Sequence, residues 1–430
     1  MACVALLPGL PAIAADYQRT ATPSWVEALI FDTSAVPAAG NANNGVQYLL
    51  VDRQTRLDQK TKASFQHTIS RAFNERGVES IAHIDIEFDP SYQSLALHTL
   101  RLIRGGIAQD RLSSAKVTVL QRETDLDLRI YDGSKTVDVI LDDVRTGDIV
   151  EYSYSLRGRN PVFGERDFGQ IEMQWGAPVH RLHRRLSVPV GYEPKFRSYL
   201  TTAEPRVSTR DGWVNYTWQA ADVVPWAGQS DTPRWYQPYA EIQWSSFADW
   251  SEVARWAEPL YALPASRTGA LRAEVDRIAA KSQSPGQRLL DVLAFVQSQV
   301  RYLGVEIGPG SHAPRPPQQV LEHRYGDCKD KALLTVTLLQ SLGVTAEPAL
   351  VNTRLRHTVD EMLPSPGAFN HVIVRAQVAG RDYWLDPTRA PQAGSLENIA
   401  QADFGMALVL DGHSTGLTPI PTADSSQRRR

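Results

Sequence analysis

The sequence predicts an α+β chain in two parts, a β-rich N-terminal domain of sandwich or barrel-like type followed by a half in which helices and strands mix. Three observations carry this. From residue 45 to about Trp226, short apolar or alternating runs recur between turn residues. Near residue 245 the spacing becomes helical, opened by Asp249-Trp250-Ser251-Glu252, the D-x-x-E form of a helix-start capping box. The chain has 430 residues, more than the roughly 100 to 200 of a typical domain, so at least two cores are required.

Taken in order, residues 1–15 are apolar and small, and Ala12-Ile13-Ala14-Ala15 reads as the A-x-A end of a secretory signal, although no Lys or Arg precedes Arg19. Export to the periplasm or the exterior is therefore expected. Residues 16–44 form an N-terminal segment whose Ala, Gly and Asn run at 38–45 reads as a connector. The β-rich domain is assigned to 45–240. Ile84-Asp85-Ile86-Glu87-Phe88, Val117-Thr118-Val119-Leu120 and Val150-Glu151-Tyr152-Ser153-Tyr154 are its clearest strands, and Asp132-Gly133 and Asp211-Gly212 are hairpin signals. His180-Arg181-Leu182-His183 has no acid beside it and reads as a solvated basic strand in preference to a metal site. The tryptophans from Trp213 to Trp256 read as edge, inter-domain and core packing, not as a sugar platform.

In the second half, residues 269–280, 285–300 and 326–342 carry helical apolar spacing, and strands are expected at 349–353, 371–378 and 383–385. A core is thus assigned to 245–390. Beyond Pro387 no period is evident, and 391–430 reads as an extension with a polar tail from 424.

Composition excludes several classes. With 45 Lys+Arg against 48 Asp+Glu, the net charge of −3 provides no basic field for nucleic acid. Two cysteines, Cys3 and Cys328, rule out a disulfide scaffold and a Cys-rich zinc module. Past the start, no run reaches about 18 apolar residues, so no stable membrane span is expected. Removal of a signal would leave Cys328 alone, which directs attention to it.

In Tyr325-Gly326-Asp327-Cys328-Lys329-Asp330-Lys331, Asp327 is placed to cap a helix and Gly326 to permit a sharp entry. The thiol then lies at a helix N-terminus, where partial positive charge favours the thiolate. Leu333, Leu334, Val336, Leu338, Leu339 and Leu342 make the helix apolar nearly all round, hence central and buried. A cysteine nucleophile needs a base and a group to orient it. Phe369-Asn370-His371-Val372-Ile373-Val374 supplies a histidine at a strand start, and Trp384-Leu385-Asp386-Pro387-Thr388 an aspartate at the end of the next strand. A turn centred between Val378 and Ala379 sets His371 directly opposite Asp386; a turn one residue later makes them diagonal, still within reach. His312 and His323 read as loop residues.

These three motifs, in this order, resemble the transglutaminase-like superfamily of papain-type folds over roughly 245–390. The preceding half resembles the domain of unknown function that accompanies this core in exported bacterial proteins, on Asp89-Pro90-Ser91-Tyr92-Gln93 and Gly147-Asp148-Ile149-Val150-Glu151. The resemblance implies a Cys328-His371-Asp386 triad in which Cys328 attacks an amide or peptide carbonyl and passes the acyl group to water or an amine. It implies a protein or peptide substrate, a cell-envelope polymer being the other candidate, and no cofactor or metal. The oxyanion would be held by the Cys328 N–H and a side-chain donor, for which Tyr302 is the candidate. No calcium loop is present, which favours hydrolysis over cross-linking. The alternative is a catalytically silent module that binds protein or cell-wall polymer.

Overall fold

In the computed structural model, the described residues run from 17 to 421, apart from 35, 37–44, 124–125, 227–230, 234, 267–268, 393 and 402. The candidate signal at 1–15, most of the connector and the polar tail lie outside them.

The N-terminal half is built on one long sheet of nine strands. Its order is Gln18–Arg19, Ser94–Arg104, Ile149–Arg157, Lys62–Ala72, Val46–Leu57, Val179–Pro189, Trp213–Val223 and Arg206–Arg210, with Ile107–Asp110 returning on Ser94–Arg104. Two three-stranded sheets pack against it. One orders His83–Phe88, Lys135–Ile140 and Lys116–Gln121, the other Phe168–Glu172, Glu241–Ser245 and Lys195–Tyr199. Strict alternation explains the first: Ile84, Ile86 and Phe88 are buried while His83, Asp85 and Glu87 face solvent. They pack with Val137 and Val139 of the same sheet against Leu95, Leu97, Leu100 and Leu102 of the long one. Each such side chain contributes about 1.5–3 kcal/mol on full burial, and a charge in place of Val137 would open the layer. The second layer closes over Leu182, Leu186, Val188, Trp218, Ile242 and Trp244.

Two local expectations are corrected. Asp211-Gly212 does turn a hairpin, both residues at positive φ (51° and 80°) as a two-residue turn requires. Asp132-Gly133 does not: Ile130–Tyr131 pairs in parallel with Gly304–Val305 of the other half, while Lys135–Ile140 pairs with His83–Phe88 and Lys116–Gln121. The Asp132 side chain accepts from Ser134 N at 2.8 Å, a local bend that passes the chain from one pairing to another. The strand carrying His180 and His183 is internal to the sheet. His183 and Arg184 are buried, and the acids come from neighbouring strands, Asp52 at 2.7 Å from His183 and Asp222 at 2.7 Å from His180. Two helices were not expected: α1 (Glu75–Ala82), which Asn74 caps by accepting from Gly77 N, and Pro317–His323 in the other half.

The C-terminal half opens with α2 (Trp250–Ala257), capped by Asp249, followed by α3 (Gly269–Lys281), α4 (Pro285–Gln299) and a short α5 (Pro317–His323). Then comes α6 (Cys328–Ser341), in which every residue from Cys328 to Leu339 is buried. It packs across an antiparallel sheet ordered Arg381–Leu385, His371–Val378, Thr345–Val351, Met406–Val409 and Thr418–Pro419. The sheet thus continues past residue 390: Met406–Val409 has only four residues and no long apolar run announces it. No helix among the described residues is long and apolar enough to cross a membrane.

Candidate active site

The site is organised by the start of α6. Asp327 caps the helix, its Oδ1 accepting from Lys329 N (3.1 Å) and Asp330 N (3.2 Å), and Asp330 Oδ2 accepts from Asp327 N (3.2 Å). This reciprocal box fixes the entry of the chain. Gly326 is needed for closeness: a Cβ there would stand 2.7 Å from the Asp330 Cβ. The charges around the thiol are paired. Lys329 Nζ donates to Asp327 (2.6 Å) and Glu306 (3.1 Å), Arg315 holds Asp330 (2.7 Å), and Lys331 Nζ donates to the Val300 carbonyl (2.7 Å). Burial lowers Lys331 to about 8 against the pull of Asp386. What remains at Cys328 is a free, buried thiol at a helix N-terminus.

His371 is the first residue of its strand and Asp386 the residue after the next one. The hairpin turns at Ala379 and Gly380 (φ 51° and 76°), and its ladder begins at Val374 opposite Leu385. This is the later of the two registers considered, so the pair is diagonal. His371 Nε2 lies 3.2 Å from Asp386 Oδ2, and the imidazole lines the same cavity as Cys328, near enough for the two charges to act on each other. With Nε2 turned to the carboxylate, Nδ1 is the ring nitrogen left for the thiol. Burial disfavours the imidazolium, but the bond to Asp386 and the pull of the nearby Cys328 outweigh it and raise His371 to about 10. Burial likewise opposes the Asp386 carboxylate, yet His371 and Thr388 hold it below the usual carboxylate range. Its Oδ1 accepts from Thr388 N (2.9 Å) and Oγ1 (2.7 Å), and Gln297 donates to its main-chain carbonyl at 3.0 Å.

Tyr302 is also near the cysteine, and burial with the nearby charge of Cys328 pushes its pKa up. A cavity of about 100 Å³ opens beside the thiol, lined among others by Trp256, Tyr261, Glu306, His312, Phe369 and His371. His312 is a loop residue, but one that faces this cavity; it bonds Ser311 Oγ at 2.9 Å, and burial together with Lys329 lowers it to about 4, so it is neutral at pH 7. His323, expected in a loop, is the last residue of α5; it stacks on Tyr325 and does not line the cavity. Larger clefts of about 630 and 430 Å³ lie on the N-terminal half, and neither is lined by a cysteine. Among the described residues His83, Asp85 and Asp138 bring metal-ligand atoms within 4.8 Å of one another, but His83 is bonded to Asp138 and Arg122 is paired with Asp85. Glu306, Arg315 and Thr388 were not foreseen. Only Thr388 left a signal, the Asp-x-Thr spacing of a local side-chain turn.

Residues 58–227 match the domain of unknown function with solved structure, DUF3857, and residues 272–386 match the transglutaminase-like superfamily. The chain is a DUF3857 domain followed by a transglutaminase-like core. A crystal structure of a proposed protease from Parabacteroides distasonis ATCC 8503 shares the architecture, with a TM-score of 0.71 at 16% identity over 88% of this chain and 72% of that one. A proposed cysteine protease from Cytophaga hutchinsonii aligns at 12% identity over 52% of this chain and 80% of its own, with a TM-score of 0.23. The M1 zinc metallopeptidase from Deinococcus radiodurans aligns at 11% identity over 59% of this chain and 54% of its own, with a TM-score of 0.27. No curated protein matches the sequence. In the transglutaminase-like core Cys328 opens α6, His371 opens one strand of the hairpin and Asp386 follows the other.

Proposed function

We propose that the protein is a cysteine acyl-transfer enzyme that hydrolyses a peptide or amide bond through Cys328, His371 and Asp386. One observation carries the reading: an imidazole anchored by a buried carboxylate and sharing one cavity with a thiol at the N-terminus of a buried helix. The membership in the transglutaminase-like superfamily supports it.

The chemistry follows from these groups. The Cys328 thiolate attacks the carbonyl carbon, and the tetrahedral oxyanion accepts from the Cys328 N–H and from the Tyr302 O–H. His371 gives its proton to the leaving amine as the C–N bond breaks, which leaves a thioester. Water then attacks the thioester with His371 as base, releasing the carboxylic acid and restoring the thiol. Asp386 keeps the imidazole oriented and stabilises its charge throughout.

The test is the rate of Cys328 alkylation by iodoacetamide against pH, in the protein and in His371→Ala. A rate that stays high below pH 7 and loses that plateau in the variant supports the pair. A rate that follows an ordinary thiol, near a pKa of about 8.5, in both proteins rejects it in favour of a silent binding module. The export reading, which rests on residues 12–15, is separately tested by fractionation of the producing cell.

A further inference from the structure

Residues 304–312 carry Glu306 and His312 into the cavity beside Cys328, yet they have little structure of their own: a two-residue strand, Gly304–Val305, and the 3₁₀ turn Gly308–Ser311. Their position comes from the N-terminal domain. Gly304 N donates to Arg129 O (2.9 Å) and Glu306 N to Tyr131 O (2.7 Å), as Gly304–Val305 pairs with Ile130–Tyr131. Gly308 N donates to Asp89 Oδ2 at 3.3 Å, and a Cβ on Gly308 would approach Ser91 Oγ to 2.9 Å. Asn160, itself buried, donates to Gly308 O (2.9 Å) and Ser311 Oγ (3.1 Å), and its Oδ1 accepts from Val162 N (3.1 Å), so the amide orientation is set. Phe163 meets His312 edge-on at 4.8 Å and stacks on Trp256 at 5.6 Å, while Trp256 Nε1 donates to Val162 O at 2.9 Å.

We propose that the DUF3857 domain is a positioning part of the cysteine site: through Asp89 and Asn160 it holds the 304–312 segment, whose Glu306 and His312 form the substrate-facing wall next to Cys328. The mechanism places no group of this domain at the reacting atoms, and the backbone bonds explain why it is needed. A wall segment without its own ladder keeps a defined place only if its exposed N–H and C=O groups are held from outside. The motif at residues 89–93, so far without a role, is one of the two holding points. The substrate-facing role of the wall rests on the acyl-transfer reading, whereas the holding of the segment does not.

The test uses the full chain with Asn160→Ala and Asp89→Ala. Two readouts are taken: hydrogen exchange of the Gly304, Glu306 and Gly308 amides, and Cys328 alkylation by iodoacetamide compared with an iodoacetyl-tagged dipeptide. In both alanine variants, exchange at 304–312 should rise about tenfold or more while the His371–Val378 strand is unchanged. The dipeptide reagent should slow about tenfold relative to iodoacetamide, whose plateau below pH 7 persists. The inference is overturned if exchange and the ratio of the two rates stay as in the parent, or if exchange rises throughout the chain and both reagents change together, which marks a loss of stability alone. Absence of the iodoacetamide plateau in the parent rejects the acyl-transfer reading, and the exchange measurement still decides whether the segment is held.

Discussion

Asp386 reaches His371 from a diagonal position across the hairpin, its Oδ2 3.2 Å from the imidazole Nε2. The cause is the two-residue turn at Ala379 and Gly380, which sets Val374 opposite Leu385 and leaves both functional residues beyond the paired part of the ladder. Sheet hydrogen bonds therefore do not fix the carboxylate. Thr388 and Gln297 do, by bonding its second oxygen and its main-chain carbonyl.

Asp386→Asn preserves shape and removes charge, so it isolates the electrostatic part of this contact. The His371 pKa should fall from about 10 toward the ordinary imidazole value. Cys328 alkylation at about pH 6 should slow at least tenfold, with the far-ultraviolet spectrum unchanged. An unaltered rate would show that the carboxylate is not what sustains the imidazolium.

Lys329 is the sole cation bonded to both Asp327 and Glu306 among the described residues. Lys329→Met fills similar volume but leaves two acids without it, and should cost about 3–5 kcal/mol in urea unfolding, the range for breaking a buried pair. Adding Glu306→Gln should restore part of that loss, because one uncompensated charge goes with it.

Gly326→Ala brings a Cβ to 2.7 Å from the Asp330 Cβ, within the capping box itself. The expected loss is about 1–3 kcal/mol, accompanied by a lower alkylation rate at Cys328, which lies two residues further on. Gly380→Ala, where nothing lies within 4 Å, strains only a positive φ of 76° and should leave the alkylation rate alone.

Stability should depend on pH through two histidines of opposite sense. His312 is lowered to about 4, so the unfolded chain binds its proton first, and stability falls as pH drops from about 6.5 to 4 by on the order of 3 kcal/mol. His312→Gln should flatten that limb of the thermal unfolding profile. His371 is raised to about 10, so its contribution is complete below about 6.5 and is lost as pH rises through 10. His371→Ala should remove the alkaline decline and leave the acid limb as it was.

The motifs around Cys328, His371 and Asp386 were legible because each sits at an element terminus that short-range rules describe: a cap, a strand start, the residue after a strand. The alternating strand at 84–88 and the buried helix behind the thiol were legible for the same reason. Asp132-Gly133 misled, since a turn dipeptide says that the chain bends but not which strands it joins. The partners of Ile130 and Tyr131 are Gly304 and Val305, far along the sequence. His183 misled likewise, its acid being Asp52 on a neighbouring strand. Glu306 and Arg315 left no local trace, because a charge that compensates another across the fold has no fixed spacing from it.

The union of Val46–Leu57 with Val179–Pro189 is parallel and brings together residues such as Asp52 and His183, 131 positions apart. Neither strand can be completed from its immediate neighbourhood, so the centre of the nine-stranded sheet cannot close until the later strand is available. Loop closure over that distance is slow to reward. During synthesis the first strands must wait with an open edge, and aggregation at that stage, not loss of the finished sheet, is the hazard this topology creates.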